Sequence, residues 1–209
     1  MFDAALRPLV DRILDPVGRL LAGAGISANL VTAVGFAFGV GAAVAVAFEA
    51  GMVALTLFAA NRLCDGFDGA VARAQGPTDL GGFLDITLDF IVYSGLVFAF
   101  AVANPDNATA AAFLIFSFVG TGTSFLAFAI IAQKRGISTD IRGKKSFFYL
   151  GGLTEGLETI IFLCTVVIIP SFFTPLAWVF GALCWITTAT RIRYAVRRLS
   201  GSADNGTGD

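Results

Sequence analysis

Histidine is absent from all 209 residues, which removes imidazole bases and histidine-ligated metals from any mechanism the chain supports. Cysteine is scarce. Cys64, Cys164 and Cys184 lie far apart, form no CxxC pair and fall in apolar segments, where thiols serve as small core-filling groups. Charged residues make up only 14%, and the net charge of −1 says little because the charges are segregated along the chain. What is plentiful is apolar surface: 56% of the residues are hydrophobic and the mean hydropathy is +0.82. A soluble core of this size cannot hide so much, whereas a bilayer can. No nucleic-acid partner is expected.

The pattern predicts an all-α integral membrane protein with one membrane domain over residues 1–200. Residues 2–23 read as an amphipathic helix. Leu6, Leu9, Val10, Ile13, Leu14, Val17, Leu20 and Leu21 fall on one face; Asp3, Arg7, Asp11, Arg12, Asp15 and Arg19 fall on the other. This helix is too charged to span and has no signal-peptide core, so it is expected to lie flat on the membrane, kinked at Pro16. Six transmembrane helices are predicted to follow, at about 29–50, 52–74, 80–103, 108–133, 153–173 and 176–195. Residues 201–209 read as a disordered polar tail.

The connections NPDN at 104–107 and PSFFTP at 170–175 carry no Lys or Arg. The remaining connections carry Arg73, Lys134, Arg135, Arg142, Lys144 and Lys145, and the tail carries Arg191, Arg193, Arg197 and Arg198. By the positive-inside rule both termini are cytoplasmic, in the inner, cytoplasmic membrane if the cell is bacterial. The turn at Gly76–Pro77 then faces the cytoplasm too. GTGTS at 120–124 offers small residues for close helix approach.

Against this apolar background stand four acids. Asp65 and Asp68 are spaced i,i+3, and Asp85 and Asp89 are spaced i,i+4, so each pair shares a helix face. The intervening QGPTD is a turn, with Thr78 or Asp79 able to cap the next helix. Folded about Pro77, Asp68 lies nine residues before the bend and Asp85 eight after, while Asp65 and Asp89 each lie twelve away. All four carboxylates are therefore expected at one depth. Each charge at mid-bilayer costs about 2.5–3.5 kcal/mol on insertion scales, so the cluster demands a cation. Oxygen-only ligands select Mg²⁺ or Mn²⁺, one or two per site, and such ions suit phosphoryl transfer. Gly69 and Ala72 leave a low helix surface, and Arg73 stands at the mouth, suited to fork a phosphate. The bland alternative is a structural ion-pair cluster, Arg62 with Asp65 and Arg73 with Asp79.

Asp65-Gly-Phe-Asp68-Gly69-Ala-Val-Ala72-Arg73 followed by Gly81-Gly-Phe-Leu-Asp85-Ile-Thr-Leu-Asp89 resembles the signature of the CDP-alcohol phosphotransferase (CDP-alcohol phosphatidyltransferase) family, DxxDGxxAR…GxxxDxxxD. Every fixed position is filled. The loop between Arg73 and Gly81 is one residue shorter than the usual form, a change confined to the turn. Asn29 and Thr32 in SANLVT are similar to a PNxxT of relatives, with Ala28 in place of the proline. The resemblance implies that Asp65, Asp68 and Asp85 are mainly metal ligands. It makes Asp89 a further ligand or the general base on the acceptor hydroxyl, with Gly69, Ala72 and Arg73 lining the CDP site. It also implies transfer of a phosphatidyl group from CDP-diacylglycerol to a polar alcohol with release of CMP, in a homodimer.

The acceptor is less legible. Arg142, Lys144 and Lys145 are either a solvated positive-inside loop against anionic lipid or a pocket for a phosphorylated alcohol. Glu155 and Glu158 either favour a helix N-terminus or line the acceptor cavity. Glycerol 3-phosphate, inositol phosphate and serine all stay open. Two other functions compete: an intramembrane prenyltransferase, which also uses aspartate pairs and Mg²⁺, and a divalent-cation transporter with an acidic midplane site.

Overall fold

Local chemistry sets where each helix begins and ends. In the computed structural model, which describes residues 2–135 and 153–200, α1 covers Phe2–Gly23 and α2 covers Ala28–Ala47. Ser27 caps α2, its hydroxyl accepting from the Leu30 N–H at 3.2 Å. Helices α3 (Gly51–Gln75) and α4 (Asp79–Ala103) are joined by a tight bend. Gly76 turns the chain there at φ +97°, a conformation that L side chains resist, and the Thr78 hydroxyl caps α4 by accepting from the Gly81 N–H at 3.1 Å. Then come α5 (Ala108–Lys134), α6 (Gly156–Ile168) and α7 (Phe173–Ser200). Short 3₁₀ turns at Pro105–Asn107 and Pro170–Phe172 precede α5 and α7. No strand occurs among the described residues.

The chain is an all-helical integral membrane protein. Helices α2 and α4, and α5 and α7 with the turns before them, are long and apolar enough to cross a bilayer. Large apolar side chains stand exposed on every helix from α2 onward, among them Leu30, Met52, Phe98, Ile130, Ile161 and Val179. Helix α3 has the length but carries Arg62 near its middle and Asp65, Asp68 and Arg73 beyond it. Helix α6, expected to span 153–173, has only 13 residues. A capping box between Glu155 and Glu158 starts it, and it stops before Pro170, which has no N–H to continue the ladder. The last segment, expected at 176–195, is longer at both ends as α7. Arg191, grouped in the sequence with the tail, is buried within this helix and donates to the Thr121 carbonyl of α5 at 3.0 Å. The tail at 201–209 lies outside the described residues.

Helices α2, α3 and α4 pack together, α5 lies against α4 and α7, and α6 touches α3 and α7. Phe58, Leu96, Leu114, Leu163 and Phe173 are fully buried between them. Ring pairs lock the layers: Phe100 stacks on Phe173 at 4.4 Å and Phe162 on Phe180 at 4.5 Å. In lipid such packing, rather than water exclusion, holds helices together, so small residues at contacts matter. At Gly39 of α2 a Cβ would sit 2.5 Å from Val92 of α4. The GTGTS stretch acts similarly, with Gly120 facing Trp185 and Gly122 facing Phe90.

Helix α1 runs through Pro16 without a break and packs along α3. Ile13, Val17 and Leu20 are exposed, whereas Gly18 is buried on Ala70, and Asp11 and Asp15 turn toward α3. The acidic side of the helix has found a basic partner in the protein.

Candidate functional site

The α3–α4 hairpin brings its aspartates together as their spacing requires, though not symmetrically. One carboxylate oxygen from each of Asp65, Asp68 and Asp85 lies within 4.8 Å of the others. Asp68 is buried, Asp65 half-buried and Asp85 exposed, so the cluster is open on one side. Three carboxylates this close repel one another unless a cation lies among them. The donor set is oxygen alone, which fits a hard divalent ion such as Mg²⁺ or Mn²⁺ and disfavours zinc.

Asp89 lines the same cleft but is engaged differently. Arg62 of α3 grips it with both terminal nitrogens, Nη2 donating to Oδ1 at 2.6 Å and Nη1 to Oδ2 at 3.2 Å. Tyr93, one turn along α4, donates its hydroxyl to Asp89 Oδ2 at 3.2 Å. Of the four carboxylates lining the cleft, three converge and the fourth faces a guanidinium. Asp89 sits one turn beyond Asp85, which carries it past the cluster to the level of Arg62. The Arg62–Asp65 pair of the ion-pair alternative is present but longer, at 3.6 Å.

Two further side chains that the aspartate spacing does not reveal complete this wall. Thr32 of α2 donates to Asp68 Oδ2 at 2.6 Å. Asn61 accepts from Arg62 Nε at 2.8 Å while its own amide donates to the Gly35 carbonyl at 2.8 Å, tying α3 to α2. Thr32 was visible in SANLVT. Asn61 and Tyr93 carry no motif, and only their one-residue and one-turn offsets from Arg62 and Asp89 hint at them.

Arg73 does not reach Asp79. It pairs with Asp15 at 2.7 Å and Asp11 at 3.0 Å, because α1 lies beside this end of α3. Gly69 sits under it: a Cβ there would be 3.4 Å from Arg73 Nη1. Ala72 is half-buried nearby. Glu155 and Glu158 cap α6 reciprocally, the Glu155 N–H donating to Glu158 Oε2 at 3.1 Å. Arg142, Lys144 and Lys145 lie outside the described residues.

Comparison with known proteins agrees with this architecture. The sequence model of the CDP-alcohol phosphatidyltransferase family matches residues 25–193. The Escherichia coli (strain K12) inner membrane protein YnjF is 48% identical over 193 residues, covering 92% of this chain and 94% of that protein. Archaetidylinositol phosphate synthase of Pyrococcus horikoshii is 33% identical over 100 residues, 47% of this chain and 53% of the synthase. In fold, the chain is similar to the Mycobacterium tuberculosis phosphatidylinositol phosphate synthase PgsA1 with CDP-DAG bound. The TM-score is 0.65 at 23% identity, covering 88% of this chain and 94% of that one. The same synthase with manganese and citrate gives a TM-score of 0.68 at 21% identity, covering 87% and 88%. With the signature aspartates gathered in one cleft and the family match running through nearly all the described helices, the chain belongs to the CDP-alcohol phosphatidyltransferase family.

Proposed function

We propose that the protein moves the phosphatidyl group of CDP-diacylglycerol onto a polar alcohol at the cleft of the α3–α4 hairpin, releasing CMP. Its family makes it a transferase of phospholipid synthesis. The observation that carries the site assignment is the convergence of Asp65, Asp68 and Asp85 within 4.8 Å. These three residues would hold a divalent ion, Mg²⁺ or Mn²⁺, which when bound offsets the negative charge of the diphosphate.

The chain's own groups do the rest. Asp89, held by Arg62 and Tyr93, takes the proton from the acceptor hydroxyl as that oxygen attacks the phosphorus bearing the lipid and the bond to CMP breaks. Thr32 fixes one Asp68 oxygen so that the other faces the cleft. Gly69 and Ala72 leave room for the nucleotide, and Arg73 is a cation for its phosphates once it leaves Asp15. On this reading α3 and α6 also span, giving six transmembrane helices, and α1 lies in the interface. Both termini and the site are then cytoplasmic, as the distribution of Lys and Arg supports. Arg142, Lys144 and Lys145, with Glu155 and Glu158 at the start of α6, would form the acceptor side. Inositol phosphate is the first acceptor to try, a choice supported by the similarity to archaetidylinositol phosphate synthase.

The test is to supply purified protein with radiolabelled CDP-diacylglycerol, Mg²⁺ or Mn²⁺, and glycerol 3-phosphate, inositol phosphate or serine in turn. Acceptor-dependent release of CMP is expected. Metal flux without CMP release would favour a transporter instead.

A further inference from the structure

We propose that Arg62 is the second cation of this site, so that each chain binds one divalent ion, at Asp65, Asp68 and Asp85, and Asp89 is not a metal ligand. This rests on the transferase reading above and specifies its metal content. Paired-metal phosphoryl-transfer centres hold their ions about 3.5–4 Å apart between shared carboxylates. Here the space between Asp65 and Asp89 is filled by a guanidinium, 3.6 Å from one and 2.6 Å from the other.

That guanidinium is built in rather than resting there. Its Nε donates to Asn61, which is itself anchored on the Gly35 carbonyl. Its Nη1 donates to the Tyr93 hydroxyl at 2.6 Å, and its carbon lies 4.9 Å from the Tyr93 ring centre. The Phe58 ring closes another side at 5.7 Å, and the side chain is only 12% exposed. A second ion at Asp89 would have to displace Arg62 from every one of these contacts and leave its charge half-buried without a partner, which is strongly unfavourable. The fixed charge does what a second ion would do for Asp65 and Asp89. It keeps both oxygens of Asp89 occupied by hydrogen bonds from protein groups.

Titration of the purified protein with Mn²⁺, with and without CDP, tests this by metal counting and electron paramagnetic resonance. The wild type should bind one Mn²⁺ per chain and give the spectrum of an isolated ion. Arg62→Met, which keeps length and removes charge, should admit a second ion and show the exchange coupling of a close pair; Arg62→Lys should stay at one. Two coupled Mn²⁺ ions in the wild type would overturn the proposal while leaving the metal centre standing. So would Arg62→Met holding a single ion with unchanged affinity. Wild type that binds no Mn²⁺, or binds it equally well after Asp68→Asn, would overturn the metal-centre reading itself.

Discussion

Thr32 of α2 donates a 2.6 Å hydrogen bond to Asp68 Oδ2 of α3, while its hydroxyl also lies 3.0 Å from the Ala28 carbonyl of its own helix. The acidic cluster is therefore steered from a third helix outside the hairpin that carries its aspartates. Orienting contacts of this kind are worth about 10–100-fold in metal affinity. Thr32→Val should weaken Mn²⁺ binding by about that much, and Thr32→Ser should restore most of it. Titration of both variants checks this; equal affinity in Thr32→Val would remove Thr32 from the site.

Asp89→Asn separates the two roles the sequence left to this residue. With Arg62 holding both oxygens, the amide still accepts one hydrogen bond but carries no charge and serves poorly as a base. Turnover should fall by about 10²–10⁴-fold. Mn²⁺ affinity should stay close to wild type, since the converging ligands are elsewhere. Single-turnover CMP release and metal titration on the same preparation decide the matter. Loss of Mn²⁺ binding in parallel with turnover would make Asp89 a ligand.

The contrast between those residues shows what the sequence could and could not carry. The bend at Gly76–Thr78 and the i,i+3 and i,i+4 aspartate spacings are local, so the hairpin and its acidic face could be read directly. Which aspartate meets which cation depends on how α3 is rotated against α4, and that is set by packing on α2, with Gly35 against Cys64 of α3 and Gly39 against Val92 of α4. Hence the ion-pair alternative set Arg62 on Asp65, its neighbour in its own helix, whereas Arg62 is found chiefly on Asp89 across the interface. Arg191 was hard to read for a related reason. It lies near the end of the expected span and was grouped with the tail's basic residues, yet α7 continues past it and buries it against α5.

Gly18 tests whether α1 is part of the folded unit. A Cβ there would lie 2.5 Å from Ala70 Cβ and 2.6 Å from the Ala70 carbonyl carbon, and backbone cannot yield as a flexible side chain does. Gly18→Ala should force α1 away from α3 and destabilise the protein by about 1–3 kcal/mol. Gly23→Ala, at the end of the same helix with nothing within 4 Å, is the control and should be neutral or slightly stabilising. Thermal unfolding in detergent compares the two; an unchanged midpoint for Gly18→Ala would mean that α1 is not docked.

Arg73 is held by Asp11 and Asp15 in a contact open to solvent, with 38% of its side chain exposed. Pairs this exposed contribute about 0–1 kcal/mol, so the Asp15→Asn variant should unfold at nearly the wild-type temperature. Its effect should appear in substrate binding instead. If Arg73 must leave α1 to meet the phosphates of CDP, removing Asp15 lowers the cost of that exchange. Asp15→Asn should then reduce the KM for CDP-diacylglycerol by about two- to fivefold, the scale of an exposed ion pair, with kcat little changed. Arg73→Met should move KM the other way. Asp15→Asn in the Arg73→Met background should do nothing more, because the two residues act through one contact. A KM that responds to Asp15→Asn equally with and without Arg73 would show that the acid acts on substrate directly. A KM insensitive to Arg73→Met would place the nucleotide elsewhere in the cleft.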